Sequence, residues 1–179
     1  MIFHQTRLHG VVLIEAERLA DERGWFGRIF DEAAFQAHGL PTRFVQWSAS
    51  VSSRAGTLRG MHYQRAPHEE AKLVRCVTGA LYDVAADMRP DSPSAGQWQA
   101  FRLAAGAGQL LFLPPGVAHG FLTETDDTEV QYCMTTEFVP GSAHGFRYDD
   151  PVFGIDWPAA PASVSDKDLG WPPLRSPAG

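Results

Sequence analysis

The sequence predicts an all-β domain, a sandwich or closed barrel made of many short strands. Short apolar runs rich in Val, Leu, Ile and Phe recur along the chain, and each ends at a turn signal. Its 17 glycines and 13 prolines are scattered between these runs and do not cluster in linkers, the spacing expected of β-sandwiches and barrels. With 179 residues, 44% hydrophobic and 11% aromatic, the chain can also build one real core.

The elements follow in order. Residues 11–14 form a first strand. A short helix is predicted over 32–38, because Asp31 can cap its start and Gly39 its end. Strands are predicted at 44–51 and 57–64. Residues 72–77, a turn at Thr78-Gly79 and residues 80–88 read as a hairpin. Strands at 97–103 and 109–113 flank the glycine-rich turn 106–108, and 121–122 and 129–138 complete the set. From about residue 158 the chain becomes a Pro/Ala/Ser-rich tail with a brief helical stretch at 165–168. With no repeat visible, residues 1–179 read as one domain.

The formal net charge of −6 argues against nucleic acid as a partner, since phosphate binding needs a basic surface. Cys76 and Cys133 lie in apolar strand segments and read as buried thiols in a reducing cytosol. The start, Met1-Ile2-Phe3-His4, has no basic leader, and no segment is long enough to span a bilayer. The expectation is a cytoplasmic protein with no membrane partner.

Chemistry concentrates in the run Arg59-Gly60-Met61-His62-Tyr63-Gln64 and in Lys72-Leu73-Val74-Arg75. An imidazole, an ammonium and two guanidiniums on sheet segments can hold an anion and move a proton beside a carbonyl. If 72–88 is a hairpin, Lys72, Val74, Cys76, Asp83 and Ala85 share one face, with Asp83 a diagonal partner for Lys72. Strict alternation puts Arg59 and His62 on opposite faces, but Gly60 between them marks a candidate bulge that re-aims one of them. Residues 113–120 read as a turn that presents His119, and they fit the second cupin-barrel motif, Pro-x-Gly-x-x-His. The first motif has one histidine here where a metal cupin has two, so no metal and no cofactor are expected.

Together these pieces resemble the dTDP-4-dehydrorhamnose 3,5-epimerase family of nucleotide-diphospho-4-keto-6-deoxy sugar epimerases. The resemblance also covers Arg23-Gly24-Trp25-Phe26, Phe44-Val45-Gln46, Asp83-Val84-Ala85, Gly154-Ile155-Asp156-Trp157-Pro158 and Ser165-Asp166-Lys167-Asp168, in the family's order. It implies a cupin-type jelly-roll barrel with a few short helices and a homodimer that exchanges N-terminal strand elements. It implies His62 as the base, Asp168 as its partner, Lys72 beside the ketone oxygen and Tyr132 as the opposite proton donor. Arg59 and His119 would bind the diphosphate, with Arg23 reaching it from near the dimer interface. Phe26, Arg28, Gln46, Ser48, Asp83 and Phe138 complete the implied substrate-binding set.

The chemistry agrees with that assignment. A proton next to a ketone is too weakly acidic for histidine unless the enolate oxygen is stabilised as it forms. Inversion needs removal from one face and return to the other, hence two groups. The chain departs from the family pattern in three places: Arg28 stands for a glutamate, Trp47-Ser48-Ala49 for Asp-Asn-His, and Cys133 with Phe138 for a lysine and a tyrosine. A guanidinium cannot accept the ring N–H that thymine donates, and Trp47 offers a surface for stacking a larger base, so the nucleotide stays open. So does the choice between C3, C5 and both. A 3,4-ketoisomerase on the same scaffold and a non-catalytic nucleotide-sugar binding protein are the alternatives.

Overall fold

The structure is a computed structural model that describes residues 1–174; the end of the expected tail, 175–179, lies outside the described residues. The strands are β1 (Ile2–Gln5), β2 (Val12–Glu15), β3 (Leu19–Asp21), β4 (Gly24–Phe26), β5 (Gln46–Ser52), β6 (Thr57–Gln64), β7 (Lys72–Thr78), β8 (Ala80–Asp87), β9 (Trp98–Ala104), β10 (Gln109–Leu113), β11 (Val117–Thr123), β12 (Thr128–Met134), β13 (Ala143–Gly145) and β14 (Ser163–Val164). The helices are α1 (Glu32–Ala37) and α2 (Asp166–Leu169).

One sheet runs β1-β2-β10-β7-β12-β5 and the other β13-β6-β11-β8-β9. Neighbours within both are antiparallel, and β14 adds to β6 in parallel. The two sheets enclose a core from Leu8, Val11, Val74, Leu81, Phe101, Leu111, Phe121 and Val130. This is the expected jelly-roll barrel of cupin type. Sequence reading missed β1, the β3–β4 hairpin, β13 and β14, all too short to show a period.

Each sheet also buries its outer face. Phe35 of α1 packs with Val12, Ile14, Leu73, Leu110 and Phe112 on the first sheet. The Asp31 side chain caps α1 by accepting from the Ala34 N–H at 3.0 Å. Phe146 packs with Met61, Tyr63 and Val84 on the second sheet, supported by Phe153 and Trp157. Among the described residues no helix is long and apolar enough to cross a membrane. Both cysteines are buried free thiols, and burial pushes each up to about 11, so both are uncharged near neutral pH.

The hairpin over 72–88 does not form. β7 pairs with β10 and β12, whereas β8 pairs with β9 and β11. The turn at Gly79 carries the chain from one sheet to the other. Both strands hold apolar residues for the same interior, and placing them on facing sheets buries both sets. Lys72 and Asp83 do both face the barrel interior, but from opposite walls.

Candidate functional site

A cavity of about 560 Å³ lies between the sheets. β5 contributes Gln46, Ser48 and Ser50, alternate residues of one face, and β6 contributes Arg59 and His62. The bulge expected at Gly60 is present: His119 of β11 stands opposite His62 and Phe121 opposite Arg59, so two steps on β11 match three on β6. The extra residue returns Arg59 to the side of His62. Gly60 has φ +140°, and a Cβ there would lie 2.4 Å from the Gly120 Cα. Only glycine fits this close crossing.

His62 is tied to the far end of the chain. Its Nε2 lies 2.6 Å from Asp168 Oδ1, and the Asp168 Oδ2 accepts from the Gly60 N–H at 3.3 Å. α2 holds Asp168 in place: Ser165 is its N-cap, accepting from the Asp168 N–H at 3.2 Å. Burial alone would raise the Asp168 carboxyl. The hydrogen bond and charge of His62, with the Gly60 N–H and Ser165 hydroxyl, outweigh burial and hold it below the ordinary value. Asp168 is therefore ionised at neutral pH and fixes Nε2–H as the donor, leaving the lone pair on Nδ1.

Lys72 points into the same cavity from β7. Its Nζ donates to the His62 carbonyl at 3.2 Å and lies 3.2 Å from Glu70 Oε1, with both side chains nearly buried. The carboxylate partner is thus Glu70, not Asp83. Asp83 is fully buried behind His119, whose Nε2 lies 2.9 Å from Asp83 Oδ2. His119 sits within β11, not in a turn; the turn is confined to residues 114–116. Its ring meets that of Tyr132 edge-on at 6.1 Å. Burial first, and then the Asp83 charge, push the Tyr132 phenol up to about 12, against Ser50 and Arg59. Tyr132 is a protonated donor at neutral pH.

Arg59 is oriented by the Ser52 hydroxyl and the Val51 carbonyl, each accepting at 3.2 Å. Gln46 accepts from the Phe138 N–H at 2.8 Å and so holds Phe138 at the cavity. His62, Lys72, Tyr132, Asp168, Gln46, Ser48, Arg59, His119 and Phe138 thus converge as expected.

Arg23, Phe26 and Arg28 do not line this cavity. Arg23 is exposed and pairs with Asp21 at 2.5 Å, Phe26 is 69% exposed, and Arg28 faces Asp31 at 3.5 Å. Trp47 alternates away from the cavity and borders an outer groove with Phe30, Phe44, Arg75 and Cys133. It offers no stacking surface to a base in this chain's own cavity, and Cys133 also sits on that outer side. Sequence reading missed Glu70, Ser50, Ser165 and Lys167 in the cavity wall. Alternation from Gln46 and Ser48 points to Ser50. The need of a buried lysine for a near carboxylate points to Glu70. Among the described residues no three His, Cys, Asp or Glu side chains group as a metal site.

Comparison with known proteins follows the same lines. A family model described as dTDP-4-dehydrorhamnose 3,5-epimerase matches residues 5–176. The dTDP-4-dehydrorhamnose 3,5-epimerase of Methanothermobacter thermautotrophicus is 44% identical over 176 residues, covering 97% of this chain and 94% of that protein. The Bacillus anthracis dTDP-4-dehydrorhamnose 3,5-epimerase structure, with TDP and PPi bound, superposes with a TM-score of 0.92 at 34% identity, covering 97% of this chain and 99% of that one. A 3'-monoepimerase from Streptomyces bikiniensis, in complex with dTDP-quinovose, superposes with a TM-score of 0.88 at 32% identity, covering 97% and 88%.

Proposed function

Because the chain belongs to the dTDP-4-dehydrorhamnose 3,5-epimerase family, we propose that it is an isomerase that epimerises a dTDP-4-keto-6-deoxy sugar. The reaction makes an enolate and reprotonates it. The observation that carries this reading is one cavity holding the His62–Asp168 pair, the Lys72 ammonium and the Tyr132 phenol.

His62 Nδ1 takes the proton next to the C4 ketone, and the electron pair moves onto the ketone oxygen. Lys72 meets that oxygen. Its ammonium is held in a largely water-excluded wall by Glu70 and the His62 carbonyl, so it needs little reorganisation as charge develops. Tyr132 gives its proton to the opposite face of the carbon, which inverts the centre; it then recovers a proton from solvent, and His62 gives its own up to solvent. Asp168 keeps the His62 ring oriented and stabilises the imidazolium. Arg59 and His119 take the diphosphate, while Gln46, Ser48 and Phe138 contact the nucleotide sugar along one wall.

Arg23, Phe26 and Arg28 belong in this reading to a partner subunit's site. Leu19, Trp25 and Phe26 leave the β3–β4 hairpin 72%, 40% and 69% exposed, which suits a homodimer that buries it. The chain acts as one cupin-like domain in the cytoplasm, where its free thiols stay reduced.

The test is incubation with dTDP-4-keto-6-deoxyglucose, and with the same sugar on UDP, in D2O, followed by NMR. Deuterium at C3 and C5 marks a 3,5-epimerase, and deuterium at one carbon marks a monoepimerase. No exchange with either nucleotide refutes the reading. His62→Ala is expected to lower exchange at least about a hundredfold, the low end for loss of a general base.

A further inference from the structure

Ser50 lies on β5 in the cavity wall shared with Tyr132 and Arg59. In the β5–β12 pairing Tyr132 is opposite Ser48 and Val130 opposite Ser50, so the serine is a diagonal neighbour of the tyrosine on the interior face. Its hydroxyl oxygen is shielded from solvent and makes no well-formed hydrogen bond among the described residues, yet it stands near enough to the Tyr132 phenol to work against the burial that raises it. Buried polar groups are nearly always partnered. An unpartnered hydroxyl in a reaction cavity therefore points to a partner that arises during turnover.

Tyr132 supplies such a partner. When it gives up its proton, its oxygen changes from donor to a charged acceptor in a buried place, where an unpaired charge is costly. Arg59 and His62 on β6, Lys72 on β7, Asp83 on β8 and His119 on β11 all face that region. Asp83 opposes the charge. The guanidinium of Arg59 is engaged by Ser52 and Val51, and His119 is engaged by Asp83. Ser50 is a buried neutral hydroxyl left free on this wall.

We propose that Ser50 is a positioning residue for proton return: its hydroxyl donates to the Tyr132 oxygen as the phenolate forms. The hydrogen bond steers the enolate toward inversion and away from taking the proton back on the face it left. Ser50 also works against the burial that raises Tyr132, as a donor to the phenolate should. This inference rests on Tyr132 returning the proton.

The experiment compares the wild type, Ser50→Ala, Ser50→Thr and Tyr132→Phe with dTDP-4-keto-6-deoxyglucose in D2O. NMR reads deuterium in uninverted substrate separately from inverted product. Ser50→Ala is expected to cut inversion about tenfold to a hundredfold relative to exchange, as loss of one hydrogen bond to a charged group would. Ser50→Thr, which keeps the hydroxyl, is expected to restore the wild-type ratio. An unchanged ratio in Ser50→Ala, or the same change in Ser50→Thr, overturns the role of the hydroxyl and leaves the epimerase reading standing. Inversion retained in Tyr132→Phe overturns the tyrosine assignment and this inference with it.

Discussion

Lys72 combines two demands in one side chain. A buried ammonium needs a counter-charge, and an enolate needs a cation that is not fully neutralised. Glu70 meets the first at 3.2 Å, while its second oxygen is drawn off by the Gln64 amide at 3.0 Å. Lys72→Met is expected to reduce kcat by about 10²–10³, the range for removal of one preorganised enolate-stabilising donor, and pre-steady-state exchange measures it. The lysine and histidine are legible in sequence because their motifs are local. Glu70 is two residues from Lys72 and was still passed over, since an acidic loop residue looks solvated until the fold closes around it. A local hairpin would pair Asp83 with Lys72, but β8 lies in the facing sheet, where Asp83 meets His119.

At the scale of elements, β6 owes its function to one irregularity. The bulge at Gly60 puts Arg59 and His62 on one side, and the sequence marks the place but not the outcome. Gly60→Ala forces a Cβ against the Gly120 backbone in a conformation that other residues avoid. It is expected to destabilise the fold by about 1–3 kcal/mol, as overpacking does, and to impair exchange by moving His62. Thermal unfolding and the D2O assay check both.

The turn after β8 depends on Asp87. Burial would raise its carboxyl, but the Arg89 guanidinium and the Ser92 and Ser94 hydroxyls overcome that and lower it from 3.8 to about 2. A carboxyl depressed in the folded state contributes stability above its unfolded pKa and loses it as pH falls through the folded one. Here that window runs from about pH 4 to pH 2 and is worth about 2 kcal/mol. Asp87→Asn is expected to flatten the pH dependence of denaturant unfolding in that range. β6 and β10 are readable end to end: β10 is buried at four of its five positions, and β6 at five of its eight between clear turn signals. The missed strands are two to four residues long, too short to carry a period, and only pairing defines them: β1 with β2, β3 with β4, and β13 and β14 with β6.

For the whole molecule, the interior divides between an apolar core and a polar cavity lined by the same two sheets. Leu111 is fully buried in the core, and Leu111→Ala is expected to cost about 2–5 kcal/mol by chemical denaturation while leaving the chemistry of the cavity in place. Light scattering is expected to give twice the chain mass, and Phe26→Asp to weaken that association. Pattern reading reaches an all-β sandwich or barrel because fold class follows from strand number and punctuation, and the family resemblance narrows it to the jelly roll. Assigning strands to sheets required long-range pairing that periodicity does not encode.

The dyad bridges more than half of the sequence: His62 is in place once β6 pairs, but its carboxylate arrives 106 positions later, on the segment that docks β14 beside β6. A nascent or clipped chain ending before Ser163 would already own both walls of the barrel yet lack the group that orients its base. Competence is therefore gained only once Asp168 has been made and docked, and proteolysis of that short strap is expected to silence the chemistry without dismantling the barrel.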